Sequence, residues 1–156
     1  MKYKSNAKSL ARSFGYALQG LWYTITHERN MRVHIVAAIY VLLFSTFYEF
    51  NDLERVVLCA VICFVIIAEL FNTAIEALVN LISPQYDNYA KIAKDTAAAA
   101  VFVTAAFAVA AGIWLFGDIA VYKKIFGCFS ANISLLVLFV LSLVFSFLFI
   151  FSDNKK

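Results

Sequence analysis

Apolar residues dominate this chain in runs of helix length, and the informative positions are those that break or pattern the runs. From Ser5 to Thr26 the residues Ala7, Leu10, Ala11, Phe14, Ala17, Leu18, Leu21, Trp22 and Ile25 return every three or four positions, with Lys4, Lys8, Arg12 and Gln19 elsewhere around the wheel. That period predicts an amphipathic helix. Basic residues set against a Trp-bearing apolar face predict that it lies along a membrane surface. Four further runs predict spanning helices: Val33–Tyr48, Val56–Ile82, Thr96–Phe116 and Ile133–Phe151. The first is short for a hydrocarbon core that takes about 20 residues to cross. Glu49–Arg55, Ser83–Asp95 and Gly117–Asn132 read as linkers, with Pro84 marking a turn.

The second run departs from this plainness. Behind Val56–Ala68 come Glu69, Asn72, Thr73, Glu76 and Asn80, at offsets of 3, 4, 7 and 11 from Glu69. At 3.6 residues per turn they share one helix face. A carboxylate at membrane depth is costly without a partner, a proton or water, so such residues mark a working site. Glu69 lies 13 residues beyond Val56, which at about 1.5 Å per residue is roughly 20 Å into a core about 30 Å thick.

With 156 residues, 63% hydrophobic, 15% charged and one proline, the chain is too apolar for a soluble domain and reads as a single polytopic membrane protein, all-α. Residues 5–28 form the surface helix and the joint after it, 31–117 a three-helix core, and 131–152 an additional helix. The net charge of +3 is less telling than its distribution. An arrangement with both termini inside puts ten of the 13 bases on the inner side and leaves Arg55, Lys123 and Lys124 outside. Basic residues before the first span then meet anionic headgroups, and nucleic acid is not a partner. The first run reads as retained rather than cleaved, because a long charged stretch precedes it. Cys59, Cys63 and Cys128 read as buried free thiols, since no nearby ligand completes a metal set.

In that orientation Glu76 and Asn80 approach the inner interface at the level of Glu28, Lys91, Lys94 and Asp95. Glu28, Glu69, Asn72 and Glu76 suit a hard cation such as Mg2+, which takes one or two carboxylates and completes its shell with water and phosphate. Lys91 and Lys94 suit phosphate oxygens, and a desolvated Glu69 suits a general base. These are the parts of phosphoryl transfer. The five glycines (Gly15, Gly20, Gly112, Gly117, Gly127) form no phosphate loop, which excludes a soluble nucleotide-binding fold. An embedded base beside phosphate-binding cations points to a lipid alcohol. Blander readings stand beside these: Lys91 and Asp95, four apart, also read as an ordinary helix ion pair, and Ala97–Ala100 as a helix-packing surface.

The stretches Glu69-Leu70-Phe71-Asn72-Thr73-Ala74-Ile75-Glu76 and Ala90-Lys91-Ile92-Ala93-Lys94-Asp95-Thr96-Ala97-Ala98-Ala99-Ala100-Val101 resemble the prokaryotic diacylglycerol kinase family over roughly residues 10–116. Glu28-Arg29-Asn30-Met31-Arg32-Val33-His34 is similar to its Gram-positive branch, many members of which are undecaprenol kinases. The resemblance implies a homotrimeric, ATP- and Mg2+-dependent kinase of the bacterial cell membrane, with composite cytoplasmic sites between the surface helix and the membrane helices. It implies Glu69 as catalytic base and Glu28 and Glu76 as holders of the divalent ion. Asn72, Lys94 and Asp95 would belong to the catalytic and nucleotide site. Tyr16, Gln85, Tyr86, Asp87 and Lys91 would lie near the nucleotide, and Ala98 with Glu69 near the lipid. Three positions depart from the pattern: Asn80 stands where the family has an aspartate, Ser9 where it has a base (leaving Lys8 or Arg12 as substitutes), and Ile133–Phe151 is extra. The expected activity is phosphorylation of undecaprenol. The alternatives are diacylglycerol as acceptor, or a proton- or cation-conducting protein using Glu69 and Glu76 as relay sites.

Overall fold

The computed structural model describes residues 7–83, 85 and 87–152. They form α1 (Ala7–His27), α2 (Arg29–Ser45), α3 (Asp52–Ile82), α4 (Asn88–Leu115), α5 (Ile119–Ala131) and α6 (Ile133–Phe151), with no strand among the described residues.

Short polar side chains set where the helices begin. Asn51 Oδ1 accepts from Glu54 N (3.0 Å) while Glu54 Oε2 accepts from Asn51 N (2.8 Å), a reciprocal cap that starts α3 at Asp52 rather than at Val56. Asp87 Oδ1 accepts from Ala90 N (2.9 Å), so α4 starts eight residues before Thr96, and Lys91, Lys94 and Asp95 stand on a helix rather than in a linker. Asp118 and Asn132 cap α5 and α6 in the same way. Glu28 also occupies a cap position, at the start of α2, yet its carboxylate makes no capping bond.

Two further segment bounds need correction. Gly117–Asn132 is not a plain linker: residues 119–131 form α5, whose apolar pattern is interrupted by Lys123, Lys124 and Gly127. The first spanning run is α2, beginning at Arg29 and ending at Ser45, 17 residues long. At about 1.5 Å per residue it rises roughly 26 Å, short of a straight crossing. Among the described residues three helices, α3, α4 and α6, are long and apolar enough to cross a membrane.

α3 and α4 pack as an antiparallel hairpin; α2 lies against α3 and α6, α1 against α2 and α3, and α5 against α6. Two levels result. At one, the start of α2 meets the end of α6 through Arg32. At the other, the Tyr48 hydroxyl beyond α2 donates to Phe116 O beyond α4 (3.1 Å). The buried face of α3 carries Leu58, Val61 and Val65 and continues without a break into Glu69, Asn72 and Thr73. Ala97 and Val101 are the buried positions of α4; the rest of the alanine run, Ala98 to Ala100, faces outward. Cys59, Cys63 and Cys128 are free but exposed. Hydropathy marked them as removed from water; they turn outward from the bundle, where a bilayer supplies the apolar surroundings that a protein core would.

Candidate active site

Glu28 sits at the single-residue joint between α1 and α2, its N–H bonded to Thr24 O (2.8 Å). The joint turns the chain from α1 into the bundle and brings the Glu28 carboxylate within electrostatic reach of Glu69 and Glu76 on α3. Burial raises the pKa of Glu28 above the usual carboxylate value, and the charge of Glu76 adds to the rise, while His27 and Arg32 pull it down. A carboxyl so placed gains from any cation that enters.

Glu69 is fully buried, and neither carboxyl oxygen has a hydrogen-bond partner. Asn72 Oδ1, one turn on, is also buried without a donor. Its Nδ2 donates to Glu76 Oε1 (3.1 Å) and fixes that carboxylate. Thr73 returns its hydroxyl to Glu69 O (3.0 Å) and leaves the Glu69 side chain alone. Buried carboxyl oxygens without partners are costly, so a proton, water or a ligand is called for at these atoms. Among the described residues no group of three or more His, Cys, Asp or Glu side chains is gathered to hold a metal by itself. Magnesium asks for less, one or two carboxylates with water and phosphate oxygens, and Glu28, Glu76 and the bare oxygen of Asn72 fit that donor set.

From α4, Lys94 Nζ donates to Asn80 Oδ1 on α3 (2.7 Å), which holds the lysine over the end of the polar stripe. Lys91 and Asp95 pair with each other (3.1 Å) at side-chain exposures of 61% and 65%, the helix ion pair their spacing allowed. Asp87 is occupied as the α4 cap. Gln85 is exposed, its carbonyl accepting from Ser83 Oγ (3.2 Å), and Tyr86 lies outside the described residues. Tyr16 stands exposed on α1, and Ala98 is exposed beside the buried Ala97. The structure thus gathers Glu28, Glu69, Asn72 and Glu76, with Lys94 and Asn80 beyond them.

Toward the opposite level, α2, α3 and α4 line an apolar cavity of about 520 Å³, with Ala38, Val61, Val65, Ala105, Ala108 and Gly112 among its walls. Val65 is one helical turn from Glu69 on the same buried face. Arg32, part of the Glu28–His34 stretch, is buried one turn after Glu28 and bonds to the end of α6, and Tyr40 bonds to Ser142 and Ser146, contacts that the sequence reading did not foresee. The spacing of Ser142 and Ser146, four apart in an apolar run, was the available signal for the latter.

The profile of the prokaryotic diacylglycerol kinase family matches residues 15–116. The chain belongs to that family. Among its relatives, a diacylglycerol kinase of Synechocystis sp. is 38% identical over 107 residues, 68% of this chain and 61% of that protein, so the match spans less than two thirds of the relative. An undecaprenol kinase of Bacillus subtilis is 38% identical over 105 residues, 67% of this chain and 85% of the relative. A diacylglycerol kinase of Escherichia coli K12 is 30% identical over 100 residues, 64% and 82% of the two chains. The protein is a membrane lipid kinase by family, and the family uses ATP. Every residue of the gathered cluster lies inside the family match, whereas α5 and α6 fall beyond it.

Proposed function

We propose that this lipid kinase transfers the γ-phosphoryl group of ATP to the hydroxyl of undecaprenol at the cytoplasmic face of a bacterial cell membrane. The observation that carries the reading is Glu69: fully buried, with both carboxyl oxygens unpartnered, on a face shared with Asn72 and Glu76. In this reading Glu69 takes the proton of the lipid hydroxyl. That oxygen bonds to the γ-phosphorus as the β–γ bridge breaks and ADP leaves. Glu28 and Glu76 would hold Mg2+, which offsets the charge on the phosphates. Asn72 fixes the Glu76 carboxylate through its 3.1 Å bond, and Lys94, held by Asn80 on α3, would meet the phosphates from α4. Tyr16, Gln85, Tyr86, Asp87, Lys91 and Asp95 are assigned to the nucleotide side, and Ala98 to the lipid side. A homotrimer in which neighbouring copies complete each site is part of this reading, as the resemblance implies.

Undecaprenol is preferred as acceptor because Glu28–His34 is similar to the Gram-positive branch of the family, and the match covers 85% of the Bacillus subtilis undecaprenol kinase. The apolar cavity continuing from the Glu69 face suits the apolar tail of either lipid. Diacylglycerol is the second reading, supported by the Synechocystis and Escherichia coli relatives. Radiolabelled ATP with both lipids in mixed micelles tests the choice. Label in undecaprenyl phosphate supports the first reading, label in phosphatidic acid alone supports the second, and label in neither defeats both.

A further inference from the structure

Arg32 is 7% exposed and lies one turn beyond Glu28. Its Nη1 donates to Phe149 O (3.2 Å), Ser152 O (2.5 Å) and Ser152 Oγ (2.8 Å). These acceptors form the C-terminal end of α6, where carbonyls lack intrahelical donors and the helix dipole is negative. Two further contacts seat α6 on α2. The Arg29 guanidinium lies 5.9 Å from the centre of the Phe151 ring. Midway along, the Tyr40 hydroxyl meets Ser142 Oγ (2.9 Å) and Ser146 Oγ (3.1 Å), which sets the register of the pair.

The same guanidinium is close enough to Glu28 to act on its carboxylate, yet the two form no ion pair. A buried guanidinium without carbonyl acceptors would turn to the nearest carboxylate, four positions back in the chain. We propose that the C-terminus of α6 holds Arg32 off Glu28, leaving that carboxylate open to a divalent cation, so that Arg32 and α6 are positioning elements of the site. The idea rests on Glu28 being a cation ligand, as in the proposed function. It gives α6, which lies outside the family match, a task at the chemistry more than 100 residues away in sequence.

The test is Mn2+ binding to the full-length protein in micelles, read by electron paramagnetic resonance with a non-hydrolysable ATP analogue and no lipid alcohol. Arg32→Lys keeps the charge but loses the fork that reaches several acceptors, so its ammonium pairs with Glu28. Mn2+ affinity is expected to fall roughly fivefold. Arg32→Gln keeps a donor for the carbonyls and removes the competitor, so its affinity is expected to equal or exceed that of the unaltered protein. A purely structural arginine would give the reverse order, with lysine the milder change, and that order overturns the proposal. Should Arg32→Lys not fold, the Tyr40→Phe, Ser152→Ala double variant loosens the seat while keeping Arg32. It is expected to bind Mn2+ about twofold more weakly, and unchanged affinity there also overturns the proposal. Unaltered protein that binds Mn2+ but phosphorylates neither lipid defeats the kinase reading and leaves the Arg32 result standing. An active kinase with a flat Arg32 series defeats only the positioning role.

Discussion

Where α2 passes into α3, Tyr48 bonds Phe116 O, Asn51 and Glu54 cap each other, and the rings of Tyr48, Phe50 and Phe116 pack with centroids 4.9 to 5.3 Å apart. Burial, with Tyr122 and Asp118 adding to it, pushes the Tyr48 phenol up to about 12, so it remains a neutral donor. At the other end of the same helices, Glu69 is buried with two bare oxygens, Asn72 with one, and Glu28 caps nothing. Both ends are made of polar side chains at helix termini or on helix faces. One end closes its hydrogen bonds internally and holds the bundle together; the other leaves acceptors open in a place where open acceptors are expensive. On the proposed function, the closed end builds the fold and the open end takes ligands, and each is expected to be alterable without touching the other.

The largest effect is expected at Glu69. Glu69→Gln keeps the shape and removes the proton acceptor, so lipid phosphorylation should fall by about 10² to 10⁴. Thermal stability should stay about level, because a buried carboxyl without partners is replaced by a neutral amide of the same shape. Turnover within threefold of the unaltered rate would remove Glu69 from the chemistry. Glu76→Gln comes next. It leaves an acceptor for Asn72 Nδ2 but takes a charge from the cation site, so the Mg2+ concentration for half-maximal activity should rise by about ten- to a hundredfold. A rise in the lipid KM instead would move Glu76 to the acceptor side.

The stripe was legible because a helix repeats every 3.6 residues and polar groups stand out in an apolar run. The period put Glu69, Asn72 and Glu76 on one face, and they are on one face. Helix starts were misjudged where caps decide them: Asn51 and Asp87 begin α3 and α4 ahead of the apolar runs. The cysteines were misplaced for another reason. Lipid and protein interior are equally apolar, so hydropathy cannot tell which of the two a side chain faces. What no local pattern carries is contact across the chain. The seat of Arg32 on α6 joins residues 117 and 120 positions apart, and Lys94 finds Asn80 only once α3 and α4 fold back on each other. Spacing likewise allowed Lys91 and Asp95 a mutual pair, and they form it at 3.1 Å, exposed, which takes neither away from the proposed nucleotide side.

The closed end offers the converse experiment. Phe50→Ala removes a buried ring from the cluster with Tyr48 and Phe116. A loss of about 3 kcal/mol of stability is expected, seen as a lower melting temperature in detergent. The Mg2+ requirement and the lipid KM, measured well below that temperature, should not move. A changed Mg2+ requirement would mean that the two ends are coupled and that the division drawn between them is too sharp.

The smallest effect is expected at Asn80, where this chain parts from the aspartate pattern of its family. Lys94 is already held there, 2.7 Å from the amide oxygen, so the position of the ammonium does not depend on a carboxylate. Asn80→Asp adds a negative charge at an exposed position, where an ion pair contributes about 0 to 1 kcal/mol. The added charge also draws on the same ammonium that would meet the phosphates, so tighter holding of Lys94 and weaker attraction for nucleotide oppose each other. The expected change in kcat/KM for ATP is therefore less than about fivefold in either direction. A gain of tenfold or more would show that the carboxylate does something the amide cannot, such as taking part in the cation site. The asparagine would then mark a weakened active site rather than a neutral replacement. A small change, together with measurable turnover in the unaltered protein, would leave Asn80 as the acceptor that sets Lys94 in place, and would put it among the closed contacts despite its position at the open end.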